Sequence, residues 1–190
     1  MREVEVASLG LDKSSNTPVV ILKEKEGEGV LPIWIGPGEA SAIAMRLAGI
    51  EFSRPLTHDL LTTVVEGLGS ELVRVLITKV VDNTYYASLI FRQNGEMVSI
   101  DSRPSDSIAL ALRAEAPIFA DEELMELSAV EIEEAQLEAE GEPEEFLAQE
   151  EGAGPGAAEA GPEEGEETTA KDLREYLKNL NPEDFGRFTP

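Results

Sequence analysis

Apolar and polar residues alternate along most of the first hundred positions, then give way to helix-length apolar runs at three places. Val4, Val6 and Leu9 are separated by charged or small residues, which predicts a first strand. Lys13–Thr17 reads as a turn and Pro18–Lys23 as a β-branched second strand. Val30–Ile35 follows as a third strand, with Pro32 marking an edge or a bend. Three strands in succession predict an antiparallel meander. The spacing then changes. Ala40–Ala48 is apolar on nearly every side, with Gly49 suited to the residue after a helix. Thr57 reads as the N-cap of a second helix, and Leu60, Leu61, Val64, Val65 and Leu68 recur at helical spacing.

Alternation resumes over Leu72–Val81, Tyr85–Arg92 and Glu96–Ile100, broken by turn signals at Asp82-Asn83 and Asn94-Gly95. On the longest strand Val73, Val75 and Ile77 are expected on one face, with Leu72, Leu76 and Val80 on the other. The string Asp101–Arg113, DSRPSDSIALALR, ends that strand and opens a third helix. Pro104 suits a first helical turn, Ser105 is its expected N-cap, and Ile108–Leu112 has no polar face. Pro117–Phe119 is short and extended, and Asp121 is expected to cap a small helix through Leu127. The fold class is therefore α+β: a mostly antiparallel sheet packed with two buried helices and a smaller third, over residues 1–130.

Composition changes the picture after that point. Residues 131–168 are rich in Glu, Gly, Ala and Pro and are expected to be a mostly disordered acidic linker. Residues 169–190 carry Leu173, Tyr176, Leu177 and Leu180 as a stripe on an amphipathic helix, which suits docking on a protein partner. The net charge is −24, and residues 131–190 hold 19 Asp and Glu against only 4 Lys and Arg. Such acidity opposes unaided nucleic-acid binding, which draws on Lys and Arg. The chain has no cysteine, which removes disulfides and thiolate metal sites and fits a cytoplasmic protein. No signal-peptide pattern or membrane-length apolar run is visible. A hairpin-rich sheet with apolar helices also fits a homo-oligomer.

Three strand-to-helix mouths share one design: Gly36–Ala40, Arg54–Asp59 and Arg103–Asp106. Each is a proline turn with an acid at the helix start. If the mouths converge, Glu39, Asp59, Asp101 and Asp106 are candidate ligands for Mg²⁺ or Mn²⁺, which prefer oxygen donors. His58 is a proton-transfer candidate, and Arg54 and Arg103 are candidate clamps for phosphate oxygens. That outline describes metal-assisted phosphodiester hydrolysis, with His58, Asp59 and Asp106 as the catalytic set. A structural reading fits the same residues. The acids complement helix dipoles, the arginines pin helices through ion pairs, and His58 hydrogen-bonds a backbone carbonyl.

LPIWIGPGEASAI (Leu31–Ile43), RPLTHDLL (Arg54–Leu61) and DSRPSDSIALALR together resemble the hallmark segments of the bifunctional nuclease domain family. The resemblance spans about Val4–Leu127, with Ser107 standing where Ala is more usual. It implies a nuclease acting on both DNA and RNA. The alternative is a non-catalytic regulatory or interaction module whose charged mouth binds an anion.

Overall fold

The computed structural model describes residues 1–12 and 15–126. The expected linker over residues 131–168 and terminal helix over 169–190 lie outside the described residues, as do two residues of the first turn. Seven strands form one sheet: β1 (Arg2–Asp12), β2 (Thr17–Glu24), β3 (Val30–Trp34), β4 (Ser70–Val81), β5 (Thr84–Gln93), β6 (Glu96–Ser102) and β7 (Ile118–Ala120). Three helices join them: α1 (Pro37–Leu47), α2 (Thr57–Gly67) and α3 (Pro104–Ala114). A short helical turn covers 122–126, and the Asp121 carboxylate accepts the Glu123 N–H at 3.0 Å, as its expected capping role requires. The α+β class is as expected.

The strand order is β3-β2-β1-β7-β4-β5-β6. Two antiparallel meanders, β1–β3 and β4–β6, are joined by β7, which pairs antiparallel with β1 and parallel with β4. Helix α3 carries the chain from the far edge of the sheet back to this seam. Two-residue turns close both later hairpins, with Asp82, Asn83, Asn94 and Gly95 all at positive φ, as type I′ geometry demands. Gly95 has φ +84°, and open space surrounds a Cβ built there. Gly95→Ala is therefore expected to cost about 1 kcal/mol through backbone strain alone. A urea-denaturation midpoint reads this directly.

The core lies between the sheet and the helices. Ile108, Ala109, Leu110 and Ala111 are all buried, so α3 is enclosed around its circumference, as its unbroken apolar run implies. Helix α1 contributes Ala40, Ile43 and Ala44. Bulges alter the expected facing of β4. Its register shifts between Leu72 and Arg74, so Leu72 turns to the same buried face as Val75 and Ile77 while Val73 turns away. Both helix starts also differ from expectation. Pro104 takes the first helical position and makes Arg103 the N-cap, leaving Ser105 inside the helix and buried. Leu56, not Thr57, is the N-cap of α2, and the Asp59 carboxylate accepts its N–H at 2.9 Å.

Candidate active site

The three mouths meet. Arg103, at the N-cap of α3, reaches Glu39 in the first turn of α1, with Nη2 at 2.7 Å from Oε1. The same guanidinium donates to both oxygens of Asp106, from Nε at 2.8 Å and Nη2 at 3.2 Å. His58, in the first turn of α2, closes the group with Nε2 at 3.4 Å from Asp106 Oδ1. Four side chains from three helix starts thus form one chain of contacts, Glu39–Arg103–Asp106–His58. The positive ends of three helix dipoles point at this spot, and neither α1 nor α3 has a side-chain cap.

Local sequence explains the convergence. Pro37 and Pro104 each start a helix immediately after an extended residue, which turns the first-turn acids Glu39 and Asp106 toward each other. With Nε2–H directed at Asp106, the Nδ1 nitrogen of His58 is the one left to act as a base. The imidazole is largely buried, with a side-chain exposure of 13%, whereas that of Arg103 is 67%. The guanidinium pKa is raised, chiefly by its hydrogen bond to Asp106 and then by that carboxylate's charge. Arg103 Nη1 makes no hydrogen bond among the described residues and stays available to an incoming oxygen anion.

Asp59 belongs to a different cluster. Its Oδ1 accepts from Arg113 Nε near the end of α3. Arg113 also donates to the carbonyls of Ala109 at 3.0 Å and Ala42 at 3.2 Å, so one side chain ties together all three helices. This arginine is the functional-looking residue that sequence reasoning missed. Its signal was its place seven residues after Asp106 on the same buried helix, two turns along one face. The Asp59 carboxyl is held below the usual carboxylate range, first by the Arg113 hydrogen bond and then by the Leu56 N–H, against the opposing effect of burial.

A folded pKa below the unfolded value adds stability above the ordinary carboxylate range. That stability is lost as pH falls through the depressed folded value. Urea midpoints measured from neutral to strongly acidic pH are therefore expected to fall less steeply in Asp59→Asn than in the parent. The difference is modest, because the Asp59 side chain is 37% exposed and water screens part of the interaction.

The remaining candidates lie apart. Asp101 sits opposite Ser88 in the β5–β6 ladder, between Ile100 opposite Leu89 and Ser102 opposite Ala87. Leu89 and Ala87 face the helices, so Asp101 projects from the other side of the sheet and does not enter the mouth. Arg54 is exposed in the α1–α2 connector and makes no ion pair among the described residues. The acids expected to ligate a divalent metal do not fit one as placed. Glu39 and Asp106 share Arg103, Asp59 is held by Arg113, and Asp101 is on the wrong face. Among the described residues no group of three or more His, Cys, Asp or Glu is arranged to hold a metal ion.

Two cavities beside α2 are not lined by the four-residue chain. One, of 430 Å³, lies at the far end of α2, where Glu66, Glu71 and Glu115 on its wall oppose a phosphodiester. A 380 Å³ cleft lined by Met45, Phe52, Asp59 and Arg113 lies beside α2 on the α1 side. At the mouth the Arg103 guanidinium is the exposed group, whereas His58 and Glu39 are largely covered.

The model of the bifunctional nuclease domain matches residues 20–133, which include all four mouth residues and both arginine clusters. The chain belongs to the bifunctional nuclease domain family. A Mycobacterium tuberculosis protein named only as uncharacterized is 43% identical over 125 residues, covering 66% of this chain and 74% of its own. Bifunctional nuclease 1 of Arabidopsis thaliana is 32% identical over 105 residues, covering 53% of this chain and 32% of the plant protein. Bifunctional nuclease 2 of Oryza sativa subsp. japonica is 27% identical over 112 residues, covering 57% and 34%. The plant proteins thus share this domain and extend well beyond it. No helix among the described residues of this bifunctional nuclease domain is long and apolar enough to cross a membrane.

Proposed function

We propose that this chain is a nuclease that hydrolyses phosphodiester bonds of DNA and RNA at the mouth formed by Glu39, Arg103, Asp106 and His58. The observation that carries the proposal is the meeting of three helix N-termini around one exposed guanidinium and one histidine–carboxylate pair. Helix N-termini and arginine donors both favour phosphate oxygens. Arg103 binds a non-bridging oxygen through Nη1 and keeps Asp106 and Glu39 in place through its other nitrogens. Asp106 orients the His58 ring and stabilises the imidazolium. His58 takes a proton from the attacking water and returns it to the leaving oxygen. Asp59 is a positioning residue: with Arg113 it sets the start of α2 and hence the place of His58. No step passes through a metal, because Mg²⁺ or Mn²⁺ at this mouth would have to take Asp106 and Glu39 away from Arg103.

Purified chain incubated with single-stranded DNA and with RNA, in Mg²⁺, in Mn²⁺ and in EDTA, tests this reading. Cleavage of both polymers that survives EDTA and disappears in Arg103→Ala supports it. Cleavage seen only with metal would overturn the histidine-centred route. The absence of cleavage under all three conditions would overturn the catalytic assignment.

The acidity of the chain favours a second reading, in which the same mouth binds an anion and regulates without cleaving. Here all the mouth acids are already paired and nucleic acid is repelled at a distance. Arg103-dependent phosphate binding without cleavage of either polymer would select that reading.

A further inference from the structure

We propose that two copies of this chain pair antiparallel through their β6 strands, with Ser99 facing Ser99 across a two-fold axis, to make one continuous sheet. The two edges of the sheet are not equivalent. Edge strand β3 contains Pro32, which has no N–H to offer and blocks further pairing. Edge strand β6 has neither proline nor a basic residue, and its ladder to β5 runs without a bulge. It also exposes three large apolar side chains: Met97 at 53%, Val98 at 38% and Ile100 at 47%. Among the described residues nothing covers this edge, so it is an open pairing template with an apolar surface.

The edge is complementary to itself in one register. Gln93 and Glu96 close a two-residue turn and exchange hydrogen bonds. Alternation along the ladder then turns the backbone groups of Met97, Ser99 and Asp101 outward. Pairing centred on Ser99 sets Met97 opposite Asp101 of the second copy and uses all three outward residues of both strands. It also sets Val98 opposite Ile100, and no acid faces an acid, since Glu96 meets Ser102. Cross-strand apolar pairs of this kind stabilise a sheet, whereas like charges in opposition destabilise it.

Side-chain facing supports the same arrangement. Val98 and Ile100 lie opposite the buried Phe91 and Leu89, so they project on the helix side of the sheet, where the helix layer stops short of β6. A two-fold axis perpendicular to the sheet gathers these residues from both copies into one apolar shelf. Helix α2 borders it, because Thr62 and Val65 share a cavity wall with Phe91. Its outer stripe, Leu60, Leu61, Val64 and Leu68, is exposed, and α2 has no buried residue. A seven-residue strand alone falls short of the roughly 800 Å² per partner of a stable interface, and the stripe on this bordering helix is further apolar surface left uncovered in the single chain.

Light scattering on the full chain tests the pairing. The expected mass is twice the 20.6 kDa of one chain. Val98→Lys with Ile100→Lys is expected to halve it while the circular-dichroism spectrum stays unchanged. Because the chain has no cysteine, one introduced thiol reports the register without interference. Ser99→Cys is expected to form a disulfide-linked dimer under mild oxidation, since facing Cα atoms in such a ladder are about 5.5 Å apart. Met97→Cys alone is not, because its counterpart is four residues away along the partner strand. A parent chain that is monomeric at tens of micromolar overturns the proposal. So does a dimer mass that persists in the well-folded lysine variant, or one lost only on deleting residues 169–190. Equal cross-linking of Met97→Cys and Ser99→Cys overturns the register, and if the lysine variant unfolds the thiol pair alone decides.

Discussion

His58→Ala is expected to lower cleavage of both DNA and RNA by about 10²–10⁴-fold, the usual contribution of a positioned acid–base group. Converted at 1.36 kcal/mol per decade, that is about 3–5 kcal/mol of transition-state stabilisation. The effect should fall on the rate at saturating substrate, because binding rests on Arg103 and the helix N-termini. Added imidazole is expected to restore part of the rate, since the removed ring leaves space beside Asp106. Rescue separates a proton-transfer role from a structural one: a residue that merely supports the fold gains nothing from a free base. Asp106→Asn is expected to lose less than His58→Ala if it keeps a hydrogen bond to the ring, because the base persists without its orienting charge. It also weakens the grip on Arg103, which loses an ion pair at Nε. Activity unchanged in His58→Ala would remove this residue from the reaction.

Much of the scaffold could be read from residue order alone, because each element is signalled locally. The two hairpin turns follow from Asp82-Asn83 and Asn94-Gly95, whose positive φ values few other pairs tolerate. The burial of α3 follows from an apolar run without a polar break. What could not be read depends on distant partners. Three residues at β7 form a parallel pair with β4 whose partner choice is set by the path of α3 across the sheet. The bulge that redirects Leu72 has no mark of its own in the sequence. The cover of α2 could not be read either: its apolar positions do fall at helical spacing, yet four of them face solvent in the single chain. Periodicity reports that a face wants cover and does not say whether the cover comes from the same chain.

The site was legible to the same extent. Three proline turns with acids at their helix starts pointed to one mouth, and Glu39, Arg103, Asp106 and His58 do meet there. Partner choice was not legible. Asp59 and Asp106 both stand three residues after their N-caps, but Asp59 accepts the N–H of its unexpected Leu56 cap and turns to Arg113, whereas Asp106 takes the side chain of its own N-cap, Arg103. Asp101 is excluded by strand parity: residue 102 faces the helices, so residue 101 cannot. A cluster of acids in sequence therefore became a set of arginine-bridged pairs in space.

That bridging makes Arg113→Ala the largest expected change in stability. The guanidinium is 7% exposed and serves Asp59 together with two backbone carbonyls on different helices. Its removal leaves the Ala42 carbonyl without this donor and strips Asp59 of the charge that holds its proton off. Breaking one partner of a buried pair costs about 3–5 kcal/mol, and the partial exposure of Asp59 lowers the figure here to about 3 kcal/mol. For a domain of this size that corresponds to a fall in melting temperature on the order of 10 °C. Arg113→Lys should recover only part of the loss, because an ammonium keeps the charge but cannot span the fork from Asp59 to Ala42. The activity readout separates this residue from the mouth. Well below its new melting temperature, Arg113→Lys should retain cleavage that Arg103→Lys loses, since only Arg103 presents a free donor edge to the substrate. If Arg113→Ala melts at the parent temperature, the three-helix tie contributes nothing and α2 is held in place by its apolar contacts alone.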